Sequence, residues 1–276
     1  MDVRRSSLDF TGHSLLAVFA HPDDESLASG GLLACCSALG AKVSLLCATR
    51  GELGIQAALG VETSSAATKL LGELREKELR AAATVLDIAD LVLLDYKDGM
   101  LPWTDTKKLE NDICNTIRRN KPSVVITFGT DGLYWHPDHI AIHHRTTAAV
   151  EALGKDAPAL YYVTIPPGQM RRIVTHATHA SSAIKNDTHK IFGITNADAF
   201  GSLAEPPSLI VQTGVYARKK LAAIKCHISQ LDGSAFLHMN ADDAPQLLDC
   251  EHYRLASIGS RLDSFIEDLS DPKSSK

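Results

Sequence analysis

Short apolar runs alternate along this chain with longer segments whose apolar residues recur at helical spacing, and that alternation is its strongest constraint on folding. The runs with strand character are Leu15 to Ala20, Val43 to Ala48, Leu91 to Asp95, Val124 to Phe128, Leu160 to Thr164 and Leu209 to Gln212. Helical segments fall between them: Leu27 to Leu39, Ala66 to Leu86, Lys107 to Arg119 (ended by Lys121-Pro122), Pro137 to about Leu153, and later Tyr216 to Gln230. Continuous apolar strands joined by helices are βα units, which bury a mostly parallel sheet on both faces. The expectation is an α/β, Rossmann-like doubly wound sheet with helices on both faces, in a single domain with an irregular C-terminal part. Residues 166–208, between Pro166-Pro167-Gly168 and Pro206-Pro207, show no clear period, and the terminal SDPKSSK reads as frayed.

Right-handed crossovers place the first and fourth strands of such a sheet side by side, where the winding reverses and ligands bind at the carboxyl edge. Two unusual stretches fall there. AHPDDE, residues 20–25, follows the first strand, and GTDGLYWHPDHIAIHH follows the fourth. Three consecutive carboxylates repel one another, and a bound dication offsets that repulsion. His21 and Asp24 from one loop with His139 from the other form the three-ligand His/carboxylate set of hydrolytic zinc sites. Asp23 is then free to act as a base toward an activated water.

With 276 residues and a formal net charge of -5, the chain has no basic surplus for a nucleic-acid backbone or an anionic membrane, so a small molecule is the expected partner. Neither a signal peptide nor a membrane span is visible, which reads as cytoplasmic. The six cysteines are scattered without a CxxC, unlike a disulfide scaffold or a cysteine zinc site. A homo-oligomer is left open.

AHPDDE, ATRGELG after the second strand, REKEL in the long helix and HPDH after the fourth strand together resemble the PIG-L/LmbE family of zinc-dependent N-deacetylases, with a weaker match in KLAAIKCHISQ. The resemblance implies a deacetylase domain over 12–232, with 233–276 as a C-terminal extension packing on it. It implies removal of acetyl from an N-acetylglucosamine-type glycoside, with Zn2+ or, in the cell, Fe2+ as the ion. The family pattern makes His21, Asp24 and His139 the ligands and Asp23 the base. It also implies that His136 stabilises the oxyanion and that Asp138 hydrogen-bonds and orients His136, raising its pKa. Tyr134 matches a tyrosine that contributes to substrate polarisation, or else packs on the loop. Arg75 matches a substrate-contacting arginine, or else forms an i,i+3 surface pair with Glu78. Glu25 is expected behind the site or on a substrate hydroxyl, with Arg50 and Glu52 on the rim. Trp135 departs from the glycine of the mycothiol-pathway branch and adds bulk beside His136. His227 reads as packing or surface.

Two other functions fit parts of the pattern. Two histidines and a carboxylate also hold Fe(II) in oxygenases, but those sites sit on β-rich barrels and have no use for a spare base. A non-enzymatic Rossmann-type ligand-binding module is opposed by a first βα turn that lacks GxGxxG and is acidic where a phosphate would lie.

Overall fold

The computed structural model describes residues 8–55, 64–180, 189–258 and 264–270. Its strands are β1 (Ser14–Phe19), β2 (Lys42–Thr49), β3 (Asp90–Tyr96), β4 (Val124–Phe128), β5 (Ala159–Thr164), β6 (Leu209–Gln212) and β7 (Cys250–Leu255). They form one seven-stranded sheet in the order β3-β2-β1-β4-β5-β7-β6. Pairing is parallel from β3 through β5, and β7 runs antiparallel to both of its neighbours. β1 lies between β2 and β4, so the winding reverses at the expected strands. β1 and β4 are almost wholly buried, as their unbroken apolar runs require.

The main helices are α1 (Asp24–Ala38), α2 (Ser65–Val85), α3 (Thr106–Asn120), the one-turn α4 (Gly132–Trp135), α5 (Pro137–Glu151), α6 (Gln169–Ala180) and α7 (Ala217–Cys226). α1 and α2 pack with α7 on one face of the sheet, and α3 packs with α5 on the other. Two elements differ from expectation. α1 begins three residues earlier than its apolar pattern, because Asp24 and Glu25 form its first turn, where the positive end of the helix favours acids. The segment from Tyr216 to Gln230 is a helix only over Ala217–Cys226, with 3-10 turns on either side. α6 occupies part of the unassigned 166–208 stretch, and most of the SDPKSSK tail lies outside the described residues. No described helix is long and apolar enough to cross a membrane.

Candidate active site

The ends of four neighbouring strands build the site. The turn after β1 supplies His21, Asp23 and Asp24, and the loop after β2 supplies Gly51 to Ile55. The turn after β3 supplies Asp98 and Gly99, and the segment after β4 supplies Tyr134, His136 and His139. α5 starts where the sequence places it: His136 is the N-cap, its Nδ1 accepting the Asp138 N–H at 3.2 Å, and Pro137 takes the first helical position. Gly132, Leu133 and Trp135 all have positive φ, which tightens the approach to α5 and brings the Gly132 carbonyl over His139.

His139 Nδ1 lies 3.1 Å from that carbonyl, which only accepts, so Nδ1 carries the proton and Nε2 presents a lone pair. His21 Nε2 lies 3.0 Å from Asp138 Oδ2 and 3.1 Å from Asp98 Oδ1, so Nε2 is its protonated nitrogen and Nδ1 presents a lone pair. These two lone pairs face each other across 3.1 Å. Asp24 joins them, with Oδ1 at 3.2 Å from His139 Nε2 and Oδ2 at 3.5 Å from His21 Nδ1. Ligand atoms about 2.0–2.1 Å from a tetrahedral zinc are separated by about 3.3 Å, so this donor set fits the ion in both spacing and chemistry. Without an ion, only a proton relieves the facing lone pairs. Burial alone would depress the His21 pKa, yet hydrogen bonds to Asp138, Asp24 and Asp98 outweigh it and hold that pKa well above the usual value. The same anionic surround that attracts a proton attracts a cation. Ligand-capable atoms of His21, His136 and His139, and of His21, Asp98 and Asp138, also cluster within 4.8 Å. The second of these groups is already committed to hydrogen bonds with the outer nitrogen of His21.

Asp23 caps α1 with φ 109°, a conformation that non-glycine residues rarely adopt and that costs backbone energy. Three contacts hold it there. The Asp23 N–H donates to Glu25 Oε2 at 3.0 Å, its carbonyl accepts the Leu27 N–H at 3.0 Å, and its Oδ2 accepts from Arg75 Nη2 at 2.9 Å. Burial raises the Asp23 pKa to about 7 against the opposing pull of Arg75, with Asp24 and Glu25 adding to the rise. His136 moves the other way. Burial, with repulsion from His139 and His21, lowers it to about 4. A neutral His136 whose Nδ1 accepts from the backbone carries its proton on Nε2 and is a donor there.

A model of the GlcNAc-PI de-N-acetylase (PIG-L) family matches residues 16–150. A 1D-myo-inositol 2-acetamido-2-deoxy-alpha-D-glucopyranoside deacetylase from Nakamurella multipartita is 32% identical over 270 residues, covering 87% of this chain and 88% of its own. The chain belongs to the PIG-L family. As a PIG-L protein it is a hydrolase of the de-N-acetylase type. The N,N'-diacetylchitobiose deacetylase of Pyrococcus horikoshii shares the fold at 19% identity, with a TM-score of 0.59 over 92% of this chain and 89% of that one. So does the 4-carboxy-2-hydroxymuconate hydratase of Pseudomonas putida, at 19% identity and a TM-score of 0.63 over 91% and 98%. The fold by itself therefore hosts more than one reaction.

His21, Asp23, Asp24, Tyr134, His136 and Arg75 meet in one cleft of about 450 Å3 on this PIG-L scaffold. Tyr134 packs its ring against Phe200 at 4.8 Å and His139 at 5.3 Å, and burial pushes its hydroxyl pKa well up. Several expectations need correction. The Asp138 carboxylate does not orient the His136 ring; it accepts from His21 Nε2 and from the Gly99 and Leu101 N–H groups at 2.7 and 3.0 Å. Its charge still raises the His136 pKa as expected, but burial and repulsion from His139 and His21 outweigh it, so that pKa falls. Arg75 forms no pair with Glu78, which accepts from Ser229 instead. Its guanidinium is buried, donating to Asp23, to the Pro22 carbonyl and to the Gly51 carbonyl at 2.7 Å. Gly51 has φ +64°, and a Cβ there would lie 2.3 Å from Arg75 Nη1, so this close approach requires glycine.

Glu25 is 1% exposed and touches no open space; it accepts from Ser26 Oγ at 2.5 Å and from His227 Nε2 at 2.8 Å besides Asp23. Arg50 turns away from the cleft to Glu76 and Asp95, and Glu52 accepts the Asp98 N–H at 2.9 Å, so both brace loops and neither lines the rim. Trp135 donates to Ser202 Oγ at 3.2 Å and is not part of the cleft lining. The sequence reading missed Asp98, although a DG pair directly after a strand at the carboxyl edge was a usable signal. It also undervalued His227, whose partner Glu25 lies 202 positions away.

Proposed function

We propose that this chain removes the N-acetyl group from an N-acetylglucosamine-type glycoside, with Zn2+, or Fe2+ in the cell, held by His21, Asp24 and His139. The catalytic domain we infer spans 12–232, with the residues after it packed on the same body. The observation that carries the site assignment is the pair of facing imidazole lone pairs at 3.1 Å with the Asp24 carboxylate beside them. A dication bound there supplies Lewis acidity, polarising the amide carbonyl and making water a stronger acid. Asp23 takes a proton from the attacking water through Oδ1, since Arg75 occupies Oδ2. The Nε2–H of neutral His136 donates to the oxygen that becomes negative as the new C–O bond forms. When the C–N bond breaks, Asp23 returns its proton to the departing sugar amine and acetate remains. His136 is a poor source for that proton, because its cationic form is scarce at neutral pH.

The test joins metal analysis to acetate release from a panel of N-acetylglucosaminides, repeated with Asp23→Asn and His139→Ala. Asp23→Asn should retain metal and lose turnover, and His139→Ala should lose both. Full turnover by metal-loaded Asp23→Asn removes the base assignment. Hydration of an unsaturated carboxylate without acetate release would replace hydrolysis by the hydratase chemistry known on this fold.

A further inference from the structure

The cleft is chemically divided. Its ionisable groups gather on the floor around His21, while Leu53, Ile55, Ile191, Phe192, Ile194 and Phe200 form the walls. The 191–194 wall is a two-residue hairpin turn, closed by Ile191 N–H to Ile194 O at 3.0 Å and Ile194 N–H to Ile191 O at 2.9 Å. Phe192 and Gly193 have φ 44° and 81°, the backbone of a type I′ turn, whose first position favours Asn, Asp or Gly. Phenylalanine at that position is strained, and strain retained beside a reaction centre is a sign of use. The Phe192 ring rests against Phe236, 5.8 Å between centroids, and a Cβ on Gly193 would meet Ile55 at 3.1 Å. The turn therefore reaches across to the opposite wall.

Most polar side chains near those walls are already bonded within the protein, and the two atoms that lack a partner, Glu52 Oε2 and Arg75 Nε, are sealed off by burial. Gln230 accepts the Ile55 N–H at 2.8 Å and donates to Ser229 Oγ at 3.0 Å. Glu52 and Arg50, on the same loop as Leu53, are tied to Asp98 and to Glu76 with Asp95. Leu53 is 51% exposed at the mouth. A polyol seated between these walls would lose water from its hydroxyls without protein partners in return, whereas a hydrocarbon would gain by leaving water. At about 450 Å3 the cleft has the size of a ligand pocket, with room beside the acetamido group.

We propose that the outer part of the cleft is an apolar subsite, gripped by Phe192, Ile194 and Ile55, that takes an aryl or alkyl aglycone on the acetamido sugar in preference to a polyol. The sugar's place on the floor rests on the deacetylase reading above. Calorimetric titration of metal-loaded Asp23→Asn, which holds glycosides without turning them over, tests it with the phenyl, hexyl and inositol glycosides of N-acetylglucosamine. The phenyl and hexyl compounds should bind about tenfold or more tighter than the inositol compound. Adding Phe192→Asn, which suits the positive φ, should erase most of that preference. Equal or tighter binding of the inositol glycoside overturns the proposal, as does a preference that survives Phe192→Asn. Acetate release by the wild-type protein is scored separately: apolar preference in binding with no acetate from any glycoside sinks the deacetylase reading and leaves the subsite standing.

Discussion

Asp138→Asn is the sharpest probe of how the metal centre is held. The carboxylate is fully buried and accepts three hydrogen bonds, from His21 Nε2 at 3.0 Å, Gly99 N–H at 2.7 Å and Leu101 N–H at 3.0 Å. Asparagine offers one acceptor oxygen. Placed at the Oδ2 position it keeps His21 and Gly99 and turns its NH2 on the Leu101 N–H, leaving one buried donor opposed, at about 1–3 kcal/mol. The surviving bond to His21 also loses its charge assistance, so the whole change costs about 2–4 kcal/mol. For a chain of this size that predicts a fall in Tm of roughly 3–7 °C in the metal-free protein. Metal affinity, read by competition against a chromophoric chelator, should drop roughly 10–100-fold as the His21 ring loses its fixed tautomer. The pH profile of turnover at saturating metal should move only slightly, because Asp138 hydrogen-bonds His21 and reaches the His136 ring only through its charge, the last of the influences on that ring. Wild-type metal affinity in Asp138→Asn would refute this account.

Asp23→Asn should lower kcat by about 10²–10⁴-fold with metal content unchanged. In the metal-free protein it should also stabilise. Burial lifts the folded pKa of Asp23 to about 7, so the folded state binds a proton that the unfolded chain gives up near pH 4. Wild-type stability therefore falls between about pH 4 and 7, and the variant should melt on the order of 5 °C higher at pH 8 with little difference at pH 4. Glu25→Gln and His227→Phe loosen the anchor on the strained Asp23 backbone; kcat should fall roughly 10–100-fold with KM and metal content near wild type. A KM effect alone would place Glu25 on the substrate after all. Stripping the ion with a chelator should abolish acetate release and lower both Tm and stability, the latter by about 4 kcal/mol if the free ion had stood at 1,000 times its Kd. Zn2+ or Fe2+ should restore both, and turnover that persists in excess chelator rules the ion out of the reaction.

Much of the fold can be read along the chain because a buried parallel strand must be apolar at every position, as β1 and β4 are. β7 escaped that reading. Its sequence, CEHYRL, is interrupted by Glu251, His252 and Arg254, and Glu251 enters the core only because Lys220 meets it at 2.6 Å and the Gly31 and Leu32 N–H groups meet it at 2.8 Å. α6 was missed because QMRRIVTHATHA lies in a polar stretch between prolines, although Met170, Ile173, Val174 and Ala177 recur there at helical spacing and face the core. The Phe192-Gly193 turn lacks the Asn-Gly or Asp-Gly signature that marks such hairpins.

For the site, the sequence alone determined which groups are present and that they could meet: HPDD follows β1 and HPDH opens the helix after β4, and these neighbouring strands share one carboxyl edge. Only the tertiary structure decided what each remaining side chain does. Asp138 serves His21, Arg75 grips Asp23, Glu25 answers to His227, and Arg50 and Glu52 are spent on neighbouring loops. The physical reason is one of range. Apolar burial and ligand spacing are periodic properties of adjacent residues, whereas a hydrogen bond about 3 Å long is settled by whichever donor and acceptor the packing of distant elements brings together.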